Sequence, residues 1–404
     1  MLRPGQVVIL CALALLTLGV VMVNSAGMAV GPLGQPGGPP EGTTPRSILF
    51  SKSSAYFALS LAAIVLASSV PVGRIARALE RPAPGSPRPA LDGLVPTALA
   101  IAAILALLGT VYLPGLGHEV NYSRRWLKVP GTNLTFQPSE VAKWSLIALL
   151  AWYGARRAAM IPRLILGFAP AVATLGIISG VVAVEDLGTG VLMAAAGGLV
   201  LLAAGARLWH FALFIPPAVA GIVVLILTSP YRIQRLMAFM DPFANSRTTG
   251  YQMIQSMAAI AEGAGFGRGL GNGLFKFGYL PEDTNDFLFA IICEELGIAG
   301  AFVVVALYML LLWSASRIVA AEKSTLLRLF GVGVVSTIAL QSLMNLVVVT
   351  GLGPTKGIAL PLVSSGGTGW ILTASCLGLL AAMDHHQAVE SAQEPQPQPI
   401  ALPA

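Results

Sequence analysis

Charge is what this sequence has least of. Only 10% of its 404 residues are Asp, Glu, Lys or Arg, whereas hydrophobic residues make up 55% and the mean hydropathy is +0.78. A soluble domain carries about 25% charged residues, so a water-soluble globular chain is excluded and lipid is the solvent for much of it. Cysteine is scarce as well. Cys11, Cys293 and Cys376 lie far apart in apolar runs, which leaves neither a disulfide framework nor zinc spacing. The four histidines also lack ligand spacing. The net charge of +6 comes from basic residues scattered between apolar runs, with no stacking aromatics beside them. That argues against nucleic acid and suits a membrane surface or a phosphate-bearing lipid.

Long apolar runs are what the sequence has in quantity. A spanning helix needs about 20 predominantly apolar residues. Candidate spans cover 7–23, 55–72, 95–113, 139–155, 164–184, 187–204, 211–227, 287–312, 329–349 and 366–383. The first, with Arg3 before it and Asn24-Ser25-Ala26-Gly27 after it, has the outline of a signal peptide but is long for one, and is read as a span. The expected fold is an all-α polytopic membrane protein of about ten transmembrane helices, with a large extracytoplasmic loop between helices 7 and 8. An even count puts both termini on one side. The basic residues divide evenly, 12 of 24 on each side, but those on the N-terminal side sit in shorter segments. The positive-inside rule weighs short loops most, which places both termini in the cytoplasm.

One integral domain is expected over 1–384, followed by a disordered cytoplasmic tail over 385–404, rich in Gln, Pro, Glu and Ala. Residues 31–44 form a Gly/Pro-rich outer loop and 81–89 a Pro-rich inner one. The connection 229–286 is too long for a structureless loop without function. Its middle, Tyr251 to Glu262, has the apolar spacing of an interfacial helix, and Gly265, Gly267, Gly269, Gly271 and Gly273 follow.

Ionisable residues at membrane depth are candidates for function. Glu140 and Lys143, three apart behind Pro138-Ser139, share one face of the fourth span, either as a self-neutralising pair or as part of a site. Glu185-Asp186-Leu187-Gly188-Thr189 reads as an acidic helix cap or as a site element. Glu282, Asp283 and Asp286 crowd the start of the eighth span, with Glu294 and Glu295 inside it. That exceeds what capping a helix N-terminus requires. The segment Gly353 to Gly367 (GPTKGIALPLVSSGG) reads as a re-entrant or cavity-lining loop between two apolar helices.

Together these motifs resemble the SEDS family of FtsW, RodA and SpoVE. The match runs in order through Pro114-Gly115-Leu116-Gly117, Arg125-Trp126, Gln137-Pro138-Ser139-Glu140…Lys143, Asp186-Leu187-Gly188-Thr189, Tyr231-Arg232, Asp241-Pro242, Gly250-Tyr251-Gln252, Gly269-Leu270-Gly271-Asn272, Tyr279-Leu280-Pro281-Glu282, Asp286-Phe287, Glu294-Glu295-Leu296-Gly297, Gln341, Asn345 and Gly353–Gly367. Lys356 after Pro354-Thr355 is similar to the FtsW branch. Five positions depart from the family pattern: Val184-Glu185 replaces Gln-Pro, Tyr122 a glycine, Thr284 a histidine and Ser365 a tyrosine.

The resemblance implies a peptidoglycan glycosyltransferase of the bacterial inner membrane that polymerises lipid II in cell division, with its active site extracytoplasmic. The acceptor GlcNAc 4-hydroxyl would attack the donor MurNAc C1 and expel undecaprenyl pyrophosphate, with no nucleotide sugar. It implies Asp286 as the catalytic base, and Glu140, Lys143, Arg125, Asp186, Lys276, Glu295, Lys356 and Ser364 as substrate-binding. Counter-charge for the pyrophosphate would come from basic residues or from a divalent cation (Mg or Mn), whose ligands the sequence does not identify. The expected partners are a class B penicillin-binding transpeptidase and other divisome or elongasome membrane proteins. The alternatives are a lipid II flippase, which needs a polar path across the whole bilayer, and a non-catalytic scaffold for the transpeptidase, which needs no carboxylate at Asp286.

Overall fold

A computed structural model describes residues 2–28, 45–80, 94–113, 117–120, 123–128, 135–246, 248, 250–365 and 367–393. The expected loops 31–44 and 81–89, the Pro114-Gly115-Leu116 motif and Tyr122 lie outside them. The helices in chain order are α1 (Pro4–Ala26), α2 (Pro45–Leu49), α3 (Lys52–Ser68), α4 (Val72–Glu80), α5 (Leu94–Gly109), α6 (Pro138–Arg156), α7 (Ala169–Glu185), α8 (Leu187–Ala203), α9 (Leu208–Leu227), α10 (Pro230–Met240), α11 (Tyr251–Gly263), α12 (Leu288–Ala321), α13 (Thr325–Val349) and α14 (Thr368–Gln393).

Each apolar segment read from the sequence falls on a helix. Among the described residues, six helices are long and apolar enough to cross a membrane, α1, α9, α12, α13 and the extended α5 and α7 segments, or up to seven if the bent pair α3–α4 is one span. Ten crossings are thus more than length and composition alone support. α8, at 17 residues, is shorter, and α6 carries Glu140 and Lys143. The 63° bend between α3 and α4 falls at Pro71, whose ring removes a donor and breaks the ladder.

Two elements depart from expectation. The connection between α5 and α6 forms a three-stranded antiparallel sheet, β1 (Gly117–Val120), β2 (Ser123–Lys128) and β3 (Thr135–Phe136). The polar residues of β2 gave no alternation to read, so its pairing was invisible in the sequence. The tail expected to be disordered from 385 begins instead as the last turns of α14, which run to Gln393. Gln387 Nε2 donates to the Ile318 carbonyl at 3.0 Å and to Glu322 at 2.8 Å, docking those turns on α12.

The buried residues form two apolar clusters. One gathers α1, α12 and α14 with parts of α3 and α13, and the other gathers α5 to α8. α1 is central: a Cβ at Gly19 would fall 2.6 Å from the Val363 carbonyl oxygen, so glycine there lets the segment between α13 and α14 lie directly on the helix. Lipid offers little hydrophobic drive between helices, so close approach at small residues and polar contacts carry the association. α11 occupies the predicted interfacial stretch, and Ser256 Oγ ties it to the Val349 carbonyl at 2.7 Å.

α12 is interrupted at Gly297 (φ 63°, ψ −159°). The glycine-rich loop supplies the partners the interrupted helix lacks. Arg268 N donates to the Glu294 carbonyl and Gly269 N to the Glu295 carbonyl, each at 2.9 Å, and Ile298 N donates to the Ala264 carbonyl at 3.2 Å.

Candidate active site

One end of the bundle holds a cavity of about 1160 Å³, between the C-terminal end of α1, the N-terminal ends of α3, α6 and α8, the C-terminal half of α9, α10, the turn before α12 and the 353–365 segment. Arg125, Glu140, Lys143, Asp186, Asp286, Lys356 and Ser364, predicted from different parts of the sequence, all line it.

Asp286 lies in the turn that leads into α12, partly buried in the cavity wall, with Phe287 and Leu288 fully packed behind it. Burial pushes its carboxyl up to about 7, and the neighbouring Glu282 and Asp186 push the same way against Arg125 and Arg235. A carboxylate near 7 is suited to accept a proton at neutral pH. Glu282 also lines the cavity, at φ 57°, with its carboxylate accepting from Asn285 Nδ2 at 2.7 Å. Asp283, whose carboxyl burial raises to about 6, is outside the lining.

Asp186 caps α8: its carboxylate accepts from Thr189 N at 3.0 Å and Thr189 Oγ1 at 2.9 Å. It also holds the Arg125 guanidinium at 2.8 Å, so the cap and the site readings are both met by one residue. β2 thereby delivers a cation to the space between the two aspartates. Gly357 closes that space from the opposite side, since a Cβ there would lie 3.1 Å from Asp286 Oδ2 and 3.7 Å from Arg125 Nη1. Lys356, beside it, is a second cation, its ammonium pushed down by burial against the pull of Asp186. Arg235 on α10 is a third, stacked on Tyr231 at 4.5 Å and donating to the Thr355 carbonyl at 3.1 Å. The sequence reading missed Arg235. Its signal is the Arg232/Arg235 spacing, which puts two basic residues on one face of a short helix.

Deeper in the cavity, Lys143 Nζ reaches both Glu140 oxygens (2.9 and 2.8 Å) and Gln341 Oε1 at 3.0 Å, with only 2% of the lysine exposed. Ser364 Oγ accepts from Leu360 N at 3.0 Å and so shapes the 353–365 turn. Two of the positions that depart from the family pattern meet here, where Ser365 N donates to the Thr284 carbonyl at 3.0 Å and both residues line the cavity.

Lys276 and Glu295 do not line this cavity. They pair with each other at 2.7 Å, fully buried, and share Ser25 Oγ of α1. Gly271 N also donates to Glu295 at 3.0 Å, and Lys276 donates to the Gly271 carbonyl at 2.7 Å. The expected substrate ligands are thus placed as the lock that holds the glycine loop on α12. Among the described residues, no group of three or more His, Cys, Asp or Glu is placed to hold a metal ion.

Residues 5–389 match the FTSW_RODA_SPOVE family, described as cell cycle proteins. The chain is 40% identical over 390 residues, 95% of its own length and 89% of the relative's, to a probable peptidoglycan glycosyltransferase FtsW of Thioalkalivibrio sulfidiphilus. It is 38% identical to the stage V sporulation protein E of Bacillus subtilis, over 68% of this chain and 75% of that one. A chain of a solved peptidoglycan synthase complex that coordinates polymerization and crosslinking superposes with a TM-score of 0.70 at 24% identity, over 94% and 97% of the two chains. RodA of Thermus thermophilus superposes at 0.59 with 22% identity, over 94% and 96%. Those two likenesses speak for the fold and the sequence matches for the kinship. This multi-pass inner-membrane chain belongs to the FtsW/RodA/SpoVE family of cell cycle proteins.

Proposed function

We propose that this chain is a peptidoglycan glycosyltransferase that polymerises lipid II at the outer face of the inner membrane. The observation that carries the reading is the Asp286 carboxyl, raised to about 7 in the wall of a cavity where Arg125, Lys356 and Arg235 converge. The name of the Thioalkalivibrio sulfidiphilus relative and the placement of the family motifs support the same chemistry.

Asp286 takes the proton of the acceptor GlcNAc 4-hydroxyl as its oxygen bonds to C1 of the donor MurNAc. The bond from C1 to the diphosphate oxygen breaks, and undecaprenyl diphosphate carries the electron pair away. The developing charge on the leaving group meets the three cations, aimed where negative charge grows. Among the described residues the carboxylates do not make a metal-holding set by themselves, so a divalent cation would have to be brought by the diphosphate oxygens.

The cavity lining is drawn from one end of the bundle only, which favours a one-interface polymerase over a flippase. Basic residues lie at both ends, but Arg3, Arg74, Arg77, Arg156, Arg157, Arg163, Arg207, Arg317 and Arg328 belong to helix ends and short turns at the end opposite the cavity, and the weight that the positive-inside rule gives to short segments supports cytoplasmic termini and an extracytoplasmic site. A class B penicillin-binding transpeptidase is the partner expected to crosslink the product, in line with the crosslinking named for the peptidoglycan synthase complex.

The test is polymerisation of fluorescent lipid II by the purified chain with its transpeptidase partner. Wild type makes glycan polymer, and Asp286→Asn, folded and partner-bound, makes at most about one hundredth as much. Unchanged polymer from Asp286→Asn would overturn the base, and no polymer from wild type would overturn the enzyme.

A further inference from the structure

Asp286 sits in a turn between a glycine-rich loop and a helix, and its side chain must hold still for proton transfer. The turn's own hydrogen bonds run from Phe287 N and Asn285 N to the Glu282 carbonyl at 3.2 and 3.1 Å, from Asn285 Nδ2 to the Glu282 carboxylate at 2.7 Å and from Thr284 N to Asp283 Oδ1 at 2.7 Å. The tie to the Asp286 carbonyl itself comes from α13. Asn345 Nδ2 donates to the Asp286 carbonyl at 2.7 Å and to the Ile358 carbonyl at 2.8 Å, with the residue 1% exposed. Both partners are carbonyl oxygens that can only accept, so the amide nitrogen must face them and the orientation of the carboxamide is set. Asn345 Oδ1, by contrast, is buried with no partner among the described residues. An apolar side chain would avoid that cost, so the amide contributes through its nitrogen alone.

One turn earlier on the same face of α13, Gln341 Nε2 donates to the Ala359 carbonyl at 2.9 Å while its Oε1 accepts from Lys143. The two carboxamides therefore grip successive carbonyls of the 353–365 segment. That grip presents Gly357 to the Asp286 carboxylate and sets Lys356 beside it.

We infer that Asn345 is a positioning residue for glycosyl transfer: it bolts the turn carrying Asp286 to the segment carrying Gly357 and Lys356, so that base and counter-charge keep one geometry as the bond to the diphosphate breaks. The inference rests on the reading of Asp286 as the base. Asn345 does not line the cavity. Without it the Asp286 carbonyl loses its tie to the 353–365 segment, among the described residues only the Ser365 N to Thr284 carbonyl bond still joins turn and segment, and a displacement of about 1 Å at such a site costs on the order of 10²-fold in rate.

The charges that face Asp286 are Glu282 from its own turn, Arg125 from β2, Asp186 from the start of α8 and Arg235 from α10, with Lys356 on the gripped segment. None of these groups is removed when Asn345 is replaced, and Lys356 moves with the segment, so a change in the proton affinity of Asp286 reports the geometry of turn and segment together.

The experiment measures lipid II polymerisation by the full chain with its transpeptidase partner, per folded monodisperse molecule, from about pH 5.5 to about pH 9. The variants are Asn345→Leu, which has no donor, Asn345→Ser, which keeps one, and Asp286→Asn. Asn345→Leu is expected to lower kcat about 10- to 100-fold with KM for lipid II little changed. Its acid limb should move to lower pH, because an Asp286 released toward water loses the burial that raises it. Asn345→Ser should fall between. A lower yield of folded protein whose molecules keep the wild-type kcat and acid limb would make Asn345 merely structural and overturn the inference. So would failure of both variants to fold, which would make it a determinant of the fold. Full activity in Asp286→Asn would instead bring down the base assignment itself, a result separable from the other two.

Discussion

The Lys276 ammonium lies 2.7 Å from the Glu295 carboxylate, and neither side chain reaches solvent. Both were expected to bind substrate. They instead lock the loop that precedes Asp286 onto α12 and, through Ser25, onto α1. Breaking a buried pair from one side leaves an uncompensated charge, which costs about 3–5 kcal/mol. Lys276→Met should therefore lower the melting temperature in detergent, and adding Glu295→Gln should restore part of the loss. If Lys276→Met melts like wild type but binds lipid II more weakly, the substrate-ligand role returns.

Asp286 holds its proton up to about pH 7 in the fold, against an ordinary value of 3.8. Between those values the folded state binds more protons than the unfolded one, so this group's contribution to stability falls as pH rises through that window and stays low above it. Asn at 286 has no such dependence. Asp286→Asn is expected to melt higher than wild type at about pH 8, with the gap closing toward pH 4, while making no polymer. Equal melting at both pH values would mean that Asp286 is not desolvated.

Glu282 and Arg125 act on Asp286 in opposite senses, the first raising and the second lowering its proton affinity. Glu282→Gln should move the acid limb of the lipid II rate to lower pH, and Arg125→Gln should move it to higher pH. The comparison needs only the midpoint of each limb. Two shifts in one direction would remove Asp286 as the group that sets the limb.

The sequence reading gives the Glu140–Lys143 pair about 0.2–0.5 kcal/mol, the worth of an exposed helical pair. The structure buries it, with Lys143 also held by Gln341 and 5.2 Å above the Trp144 ring. Lys143→Ala should then cost stability as well as turnover. Glu140→Gln with Lys143→Met removes both charges and is expected to melt near wild type yet polymerise poorly, because the cation facing the cavity is gone. Normal turnover in that double variant would leave the pair a purely structural role.

The sequence by itself determined the solvent of this protein and most of its helices, because length and apolar content are local properties and a helix satisfies its own backbone. It also singled out Asp286 and Asp186, acids at helix ends that are costly without a purpose, while Arg125 and Lys356 were marked by the family resemblance. Only the tertiary structure decided which charged residues face the cavity and which lock the frame. Lys276 and Glu295 lie 19 residues apart and meet Ser25 some 250 or more residues away, and Asn345 reaches Asp286 across 59. Burial and partnership at such separations are set by how the helices pack, and a charged side chain looks the same in sequence whether it will meet a substrate or another residue.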